Sequence, residues 1–120
     1  MSKIVFLCYA KCSTCRKAFN WLKNNDIEVV ARPIAEEKPT AGELKEWIAK
    51  SDLPVRKFFN TSGRLYKERN LKDLIPTASD DELIALLSSD GMLVKRPLLI
   101  TPDKILVGFD ENRWSDFFRK

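Results

Sequence analysis

An apolar run, Ile4-Val5-Phe6-Leu7-Cys8, passes through Tyr9-Ala10-Lys11 into a segment with helical spacing, and Cys12 and Cys15 stand where the two meet. A short apolar run ended by a turn reads as a buried strand, here from Lys3 to Cys8. Beyond it, Cys15, Ala18, Phe19 and Leu22 recur at i, i+3, i+4 and i+7. A helix from about Ser13 to Asn24 would carry them on one face. Cys12 then falls at the helix N-cap or just before it, where free N–H groups and the positive dipole end favour a thiolate. Lys11 and Arg16 add positive charge. The spacing therefore splits the C-x-x-C into an exposed nucleophile, Cys12, and a buried partner able to resolve a mixed disulfide, Cys15. Read blandly, both would be small buried hydrophobes. The strand–turn–helix setting is what the redox reading requires.

The sequence has no histidine, which removes Ser-His-Asp triads, Cys-His proteases and His-ligated zinc. No metal site is expected. An activated cysteine must then be tuned by arginine, lysine or a helix terminus. The three cysteines lie within eight positions, a local chemical site and not a secreted disulfide framework. The net charge of +4 comes from scattered basic residues, which suits small anions better than nucleic acid. No apolar run approaches the roughly 20 residues of a membrane span, and no secretory pattern opens the chain. A cytoplasmic protein is the expectation, with neither direct nucleic-acid nor membrane binding.

A second strand is expected at Ile27 to Ala31, closed by Arg32-Pro33. Thr40-x-x-Glu43 and Ser79-x-x-Glu82 have capping-box spacing and open two further helices. Leu44, Trp47 and Ile48 line the first; Leu83, Leu86 and Leu87 line the second. Pro54 opens a short helix through about Phe58, Asn60-Thr61-Ser62-Gly63 is a turn, and Gly91 is a helix stop. Leu98–Thr101 and Ile105–Val107 are strands joined at Thr101-Pro102-Asp103-Lys104. A last helix from about Glu111 groups Trp114, Phe117 and Phe118. The order β-α-β, helices, β-β-α implies an α/β fold with one four-stranded mixed sheet, thioredoxin-like in plan. Residues 1–120 then form a single domain, with a helical insertion at about 38–91.

Two features remain. Cys8, Cys12 and Cys15 spell C-x3-C-x2-C, the spacing of radical S-adenosylmethionine cluster sites. Such enzymes need a barrel larger than this chain, and the residue before their last cysteine is usually aromatic, whereas here it is Thr14. Cys8 ends an apolar strand, where a buried spacer is the ordinary role; an alternative disulfide with Cys12 stays open. Arg96-Pro97 leads directly into Leu98-Leu99-Ile100. In thioredoxin-like folds a cis-proline before the third strand faces the active cysteine, which would aim Arg96 at Cys12 to hold a thiolate or a tetrahedral oxyanion.

Cys12-Ser13-Thr14-Cys15-Arg16-Lys17-Ala18 with Trp21-Leu22, then Asn60-Thr61-Ser62-Gly63, Lys95-Arg96-Pro97-Leu98-Leu99-Ile100 and Val107-Gly108-Phe109, follow one another in the chain. In this order they resemble the arsenate reductase/Spx superfamily over nearly the whole length. The resemblance implies Cys12 as catalytic cysteine and Arg96 as anion-binding arginine. It adds Lys11, Ser13, Thr14, Arg16, Asn60 and Pro97 as substrate-binding candidates. In the arsenate reductases the cysteine attacks arsenate, and glutathione with glutaredoxin completes the reduction, with no tightly bound cofactor. In the Spx-like branch Cys12 and Cys15 form a redox-switch disulfide, and the protein binds the C-terminal domain of the RNA polymerase α chain. Further family arginines would fall near Asn60 and near Val107-Gly108-Phe109, where this chain has none.

Overall fold

The computed structural model describes residues 4–118. It divides into two compact units, Met1–Pro33 with Arg96–Lys120, and Ile34–Lys95.

The first unit is built on a four-stranded sheet in the order β2-β1-β3-β4. Its strands are β1 (Val5–Cys8), β2 (Val30–Pro33), β3 (Leu98–Ile100) and β4 (Ile105–Val107). β1 runs parallel to β2 and antiparallel to β3, and β3 runs antiparallel to β4. The sheet is therefore mixed. β1 lies inside it, with Phe6 and Leu7 both buried, as a continuous apolar run demands. Lys3, expected as its first residue, lies outside the described residues.

The α1 helix (Ser13–Asn24) and α6 (Glu111–Phe118) complete this unit. Its core joins Phe6, Ala18, Leu22, Leu99, Leu106 and Trp114. Burying side chains of this size contributes about 1.5–3 kcal/mol each. The fully buried Trp114 donates its indole N–H to the Gly108 carbonyl at 3.2 Å. Gly108 has φ of 74°, a left-handed conformation that suits glycine. The β3–β4 turn closes when Thr101 N–H donates to the Lys104 carbonyl at 3.0 Å and Lys104 N–H donates to Thr101 Oγ1 at 2.8 Å.

The second unit holds α2 (Ala41–Ser51), α3 (Arg64–Glu68), α4 (Leu71–Leu74) and α5 (Asp80–Ser89), with 3-10 turns at Val55–Phe58, Ile75–Thr77 and Gly91–Leu93. Both expected capping boxes form, at Thr40 with Glu43 and at Ser79 with Glu82. The α2 and α5 helices pack together, burying Leu44, Trp47, Leu83 and Leu87.

Two expectations are corrected, and two features are added. β2 is Val30–Pro33, not Ile27–Ala31. It is an edge strand, so Pro33 costs no ladder bond, and Val30 is 49% exposed. Phe19 is not buried with the rest of its stripe: it is 44% exposed, its ring 6.0 Å from that of Phe6. The α5 helix ends at Ser89 with Asp90 as C-cap, so Gly91 is the first residue past the helix, where a stop was expected. A side chain at Gly91 would also collide with the Ile34 carbonyl oxygen, so that position demands close backbone approach. Finally, α3 and α4 were not foreseen. They are single turns of helix, and α3 buries no residue, so neither leaves an amphipathic stripe.

Candidate active site

The site forms where β1 ends. The Cys12 N–H donates back to the Tyr9 carbonyl at 2.9 Å, which closes the turn out of the strand. Cys12 takes extended backbone angles (φ −90°, ψ 120°) and occupies the α1 N-cap, and Arg16 N–H donates to its carbonyl at 3.1 Å. The first turn of α1 contains no acidic residue. Burial alone would push the Cys12 thiol up. The Cys15 N–H, the Cys15 thiol, the Arg96 guanidinium and the Thr14 N–H outweigh it, and hold Cys12 below its ordinary value.

Cys15 goes the other way. It is 3% exposed, on the buried face of α1 with Ala18 and Leu22. Burial pushes its thiol up to about 12; the Tyr9 N–H opposes this, while the neighbouring Cys12 and Cys8 add to it. That N–H donates to Cys15 Sγ at 3.3 Å. The two sulfurs are thus tuned in opposite directions, Cys15 toward the protonated donor and Cys12 toward the thiolate. Cys8, half-buried, is raised by burial first and by the charge at Cys12 second. None of the three cysteines is bridged to another in this structure. Among the described residues, no group of three or more His, Cys, Asp or Glu is arranged to hold a metal ion.

Arg96 reaches this centre from the residue before β3. The Arg96–Pro97 bond is cis, and Pro97 is buried, its carbonyl accepting from Gly108 N–H at 2.8 Å. The Arg96 guanidinium lies 5.0 Å from the centroid of the Tyr9 ring, a cation–π contact, and its Nε is buried. Tyr9 was not singled out from the sequence. It supplies both the N–H on Cys15 and the ring under Arg96, and its only local signal is its place between the strand and the C-x-x-C.

The structure therefore brings Cys12, Cys15 and Arg96 together with Tyr9. Lys11, Ser13, Thr14 and Arg16 are exposed around the start of α1. Asn60 belongs to the second unit, where its N–H donates to the Leu93 carbonyl at 2.8 Å and its Oδ1 accepts from Ser62 Oγ at 3.2 Å. Beside the thiols lies a cavity of about 380 Å³, bordered by Phe6, Cys8, Tyr9, Cys15, Arg16 and Phe19 among others. No helix among the described residues is long and apolar enough to cross a membrane.

The chain is similar to several known proteins along most of its length. The chain is 47% identical over 113 residues to the uncharacterised protein YusI of Bacillus subtilis (strain 168), covering 94% of this chain and 96% of that one. It is 30% identical over 108 residues to the regulatory protein MgsR of the same organism, covering 90% and 84%. Among solved structures, an ArsC family related protein from Bacteroides fragilis superposes with a TM-score of 0.93 at 52% identity, covering 95% of this chain and 96% of that one. A possible arsenate reductase from Streptococcus mutans UA159 gives 0.89 at 39% identity, covering 98% and 100%. The ArsC family model matches residues 7–117, which span the thiols and the cis-proline and reach into the last helix. On this match over most of its length, the chain belongs to the ArsC family.

Proposed function

We propose that the chain is a cytoplasmic thiol–disulfide oxidoreductase of the ArsC family. The observation that carries this reading is the placement of its two thiols, Cys12 at the N-cap of α1 with Arg96 beside it and Cys15 buried under the Tyr9 N–H, which tunes them in opposite directions. The Cys12 thiolate attacks one sulfur of a disulfide substrate. The substrate S–S bond breaks, the departing thiolate takes a proton, and a mixed disulfide remains on Cys12. With the charge on Cys12 gone, one cause of the raised Cys15 value disappears. Cys15 gives up its proton and attacks the Cys12 sulfur, and the second substrate thiol leaves. Two glutathione thiols, or a glutaredoxin dithiol, return the pair to its reduced form in two further exchanges.

Arg96 serves as counter-ion to the Cys12 thiolate or to an oxyanion substrate such as arsenate. With no arginine near Asn60 or in Val107-Gly108-Phe109, an oxyanion would depend mainly on Arg96 and the N–H groups of α1. The test is the rate of Cys12 alkylation against pH, run beside turnover assays of disulfide and of arsenate with glutathione and glutaredoxin. A Cys12 midpoint well below the free-thiol value of about 8.5 is expected. A midpoint at that value would overturn the reading.

A second reading rests on the 30% identity to MgsR, a regulatory protein. Here the Cys12–Cys15 disulfide is a switch controlling attachment to the C-terminal domain of the RNA polymerase α chain. Pull-down of that domain by the reduced and oxidised forms separates the readings; binding in neither state removes the second.

A further inference from the structure

The mechanism above leaves one thiol unused. Residues alternate across a strand, so Phe6 and Cys8 of β1 share the face that α1 covers. The Phe6 ring meets the ring of Phe19, and Phe19 lies one helical turn beyond Cys15. Two residues forward along β1 and one turn back along α1, Cys8 comes opposite Cys15. The bond from Tyr9 N–H to Cys15 Sγ, 3.3 Å long, agrees with this. One peptide unit separates that nitrogen from the Cys8 Cα, which therefore lies within about 6 Å of the Cys15 sulfur. Cys8 is also close enough for its charge to act on the Cys15 thiol, so the two sulfurs are neighbours and a bridge between them requires rotation of their side chains. Both also border the same cavity, which gives their side chains room to turn.

We propose that Cys8 is a second resolving thiol, which moves the disulfide from Cys12–Cys15 to Cys8–Cys15 and returns Cys12 to its free form. The proposal rests on the Cys12–Cys15 exchange described above. In the step, Cys8 gives its proton to water in the open cavity and its sulfur attacks Cys15 Sγ. The Cys8–Cys15 bond forms, the Cys12–Cys15 bond breaks, and Cys12 leaves as a thiolate. Nothing is oxidised or reduced overall. The direction follows from the thiols themselves. A disulfide is weakest where its freed thiolate is best stabilised. Arg96 and the N–H groups of Thr14 and Cys15 still face Cys12, whereas Cys8 is half-buried and its charged form is disfavoured. The chain would then hold an oxidised pair beside the apolar cavity with its nucleophile ready for a new attack.

The sequence allows a direct test. Trypsin cuts after Lys3, Lys11 and Arg16, placing Cys8 in the peptide 4–11 and both Cys12 and Cys15 in the peptide 12–16. Wild-type protein is oxidised with one equivalent of 4,4′-dithiodipyridine, which takes the two electrons. It is then equilibrated at neutral pH, quenched in acid, alkylated and mapped by mass. The expected product is peptide 4–11 joined through Cys15 to peptide 12–16, with Cys12 alkylated. The looped Cys12–Cys15 peptide should fall to about a tenth of the joined form. Cys8→Ser and Cys8→Ala should give only the looped peptide. A wild-type product that stays looped with Cys8 alkylated overturns the relay and leaves the Cys12–Cys15 mechanism standing. Peptide 4–11 joined through Cys12 also overturns it. Cys15 alkylated throughout would overturn the Cys12–Cys15 mechanism, and the relay with it.

Discussion

At the start of α5, Ser79 N–H donates to Glu82 Oε1 at 2.9 Å and Glu82 N–H donates to Ser79 Oγ at 3.2 Å. At the start of α1 the N-cap is Cys12, and no side chain closes such a capping bond. α5 carries Asp80, Asp81 and Glu82 in its first turn, whereas α1 carries no acid there. The same end of a helix thus serves two purposes. In α5, as in the Thr40–Glu43 box of α2, free N–H groups and dipole are satisfied by the chain's own oxygens, which stabilises the helix. In α1 they are left for sulfur. A carboxylate beside Cys12 would stabilise α1 slightly but oppose the thiolate. Forgoing that stability is what makes this helix end chemical instead of structural.

The contrast breaks most completely with Cys12→Ser. Exchange activity should fall on the order of a thousandfold or more. Serine is itself a good N-cap, so thermal melting should show α1 no weaker and as much as about 1 kcal/mol stronger. Next comes the alkaline limb of the stability curve. The folded value of Cys15 is raised from 9.0 to about 12, so its contribution is complete below about 9 and is lost as pH rises through about 12. Denaturant titrations across that window should show declining stability in the wild type and a flatter limb in Cys15→Ala. Arg96→Met removes a cation from the thiolate. Alkylation against pH should place the Cys12 midpoint about one unit higher, with roughly tenfold less thiolate at neutral pH. Thr14→Asp makes α1 resemble α5, and the dipole term of about 0.3–1 kcal/mol translates into about two- to fivefold slower alkylation. Ser79→Ala should leave Cys12 alkylation unchanged while costing about 1 kcal/mol in thermal unfolding.

What could be read in advance divides by range. The capping boxes at Thr40 and Ser79 and the start of α1 at Ser13 depend on residues three or four apart, and each formed where the spacing placed it. β2 was misplaced because an apolar run such as Ile27 to Ala31 does not reveal which residues find a partner; pairing with Val5–Cys8 selects Val30–Pro33. Phe19 has the spacing of a core residue, yet its ring lies where the cavity opens, which no helical period discloses. In the site, Cys12 and Cys15 were legible as a local pair. Arg96 lies 84 positions after Cys12, and only the resemblance to a known fold pointed from one to the other. Tyr9 was illegible because half of its contribution is a backbone N–H, a group every residue but proline possesses.

The three tryptophans are placed so that light can follow the parts of this protein separately. Trp21 on α1 and Trp114 on α6 meet edge to face, their centroids 6.0 Å apart at 82°, while Trp47 is buried in the second unit on α2. Close, steeply inclined indoles couple optically, so the near-ultraviolet circular dichroism of the first unit should carry a signature that Trp47 alone lacks. Replacing Trp21 and Trp114 by phenylalanine leaves an emission belonging to the helical unit; replacing Trp47 leaves one belonging to the sheet. The chain therefore carries its own pair of optical reporters, one in the unit that bears the thiols and one in the helical unit.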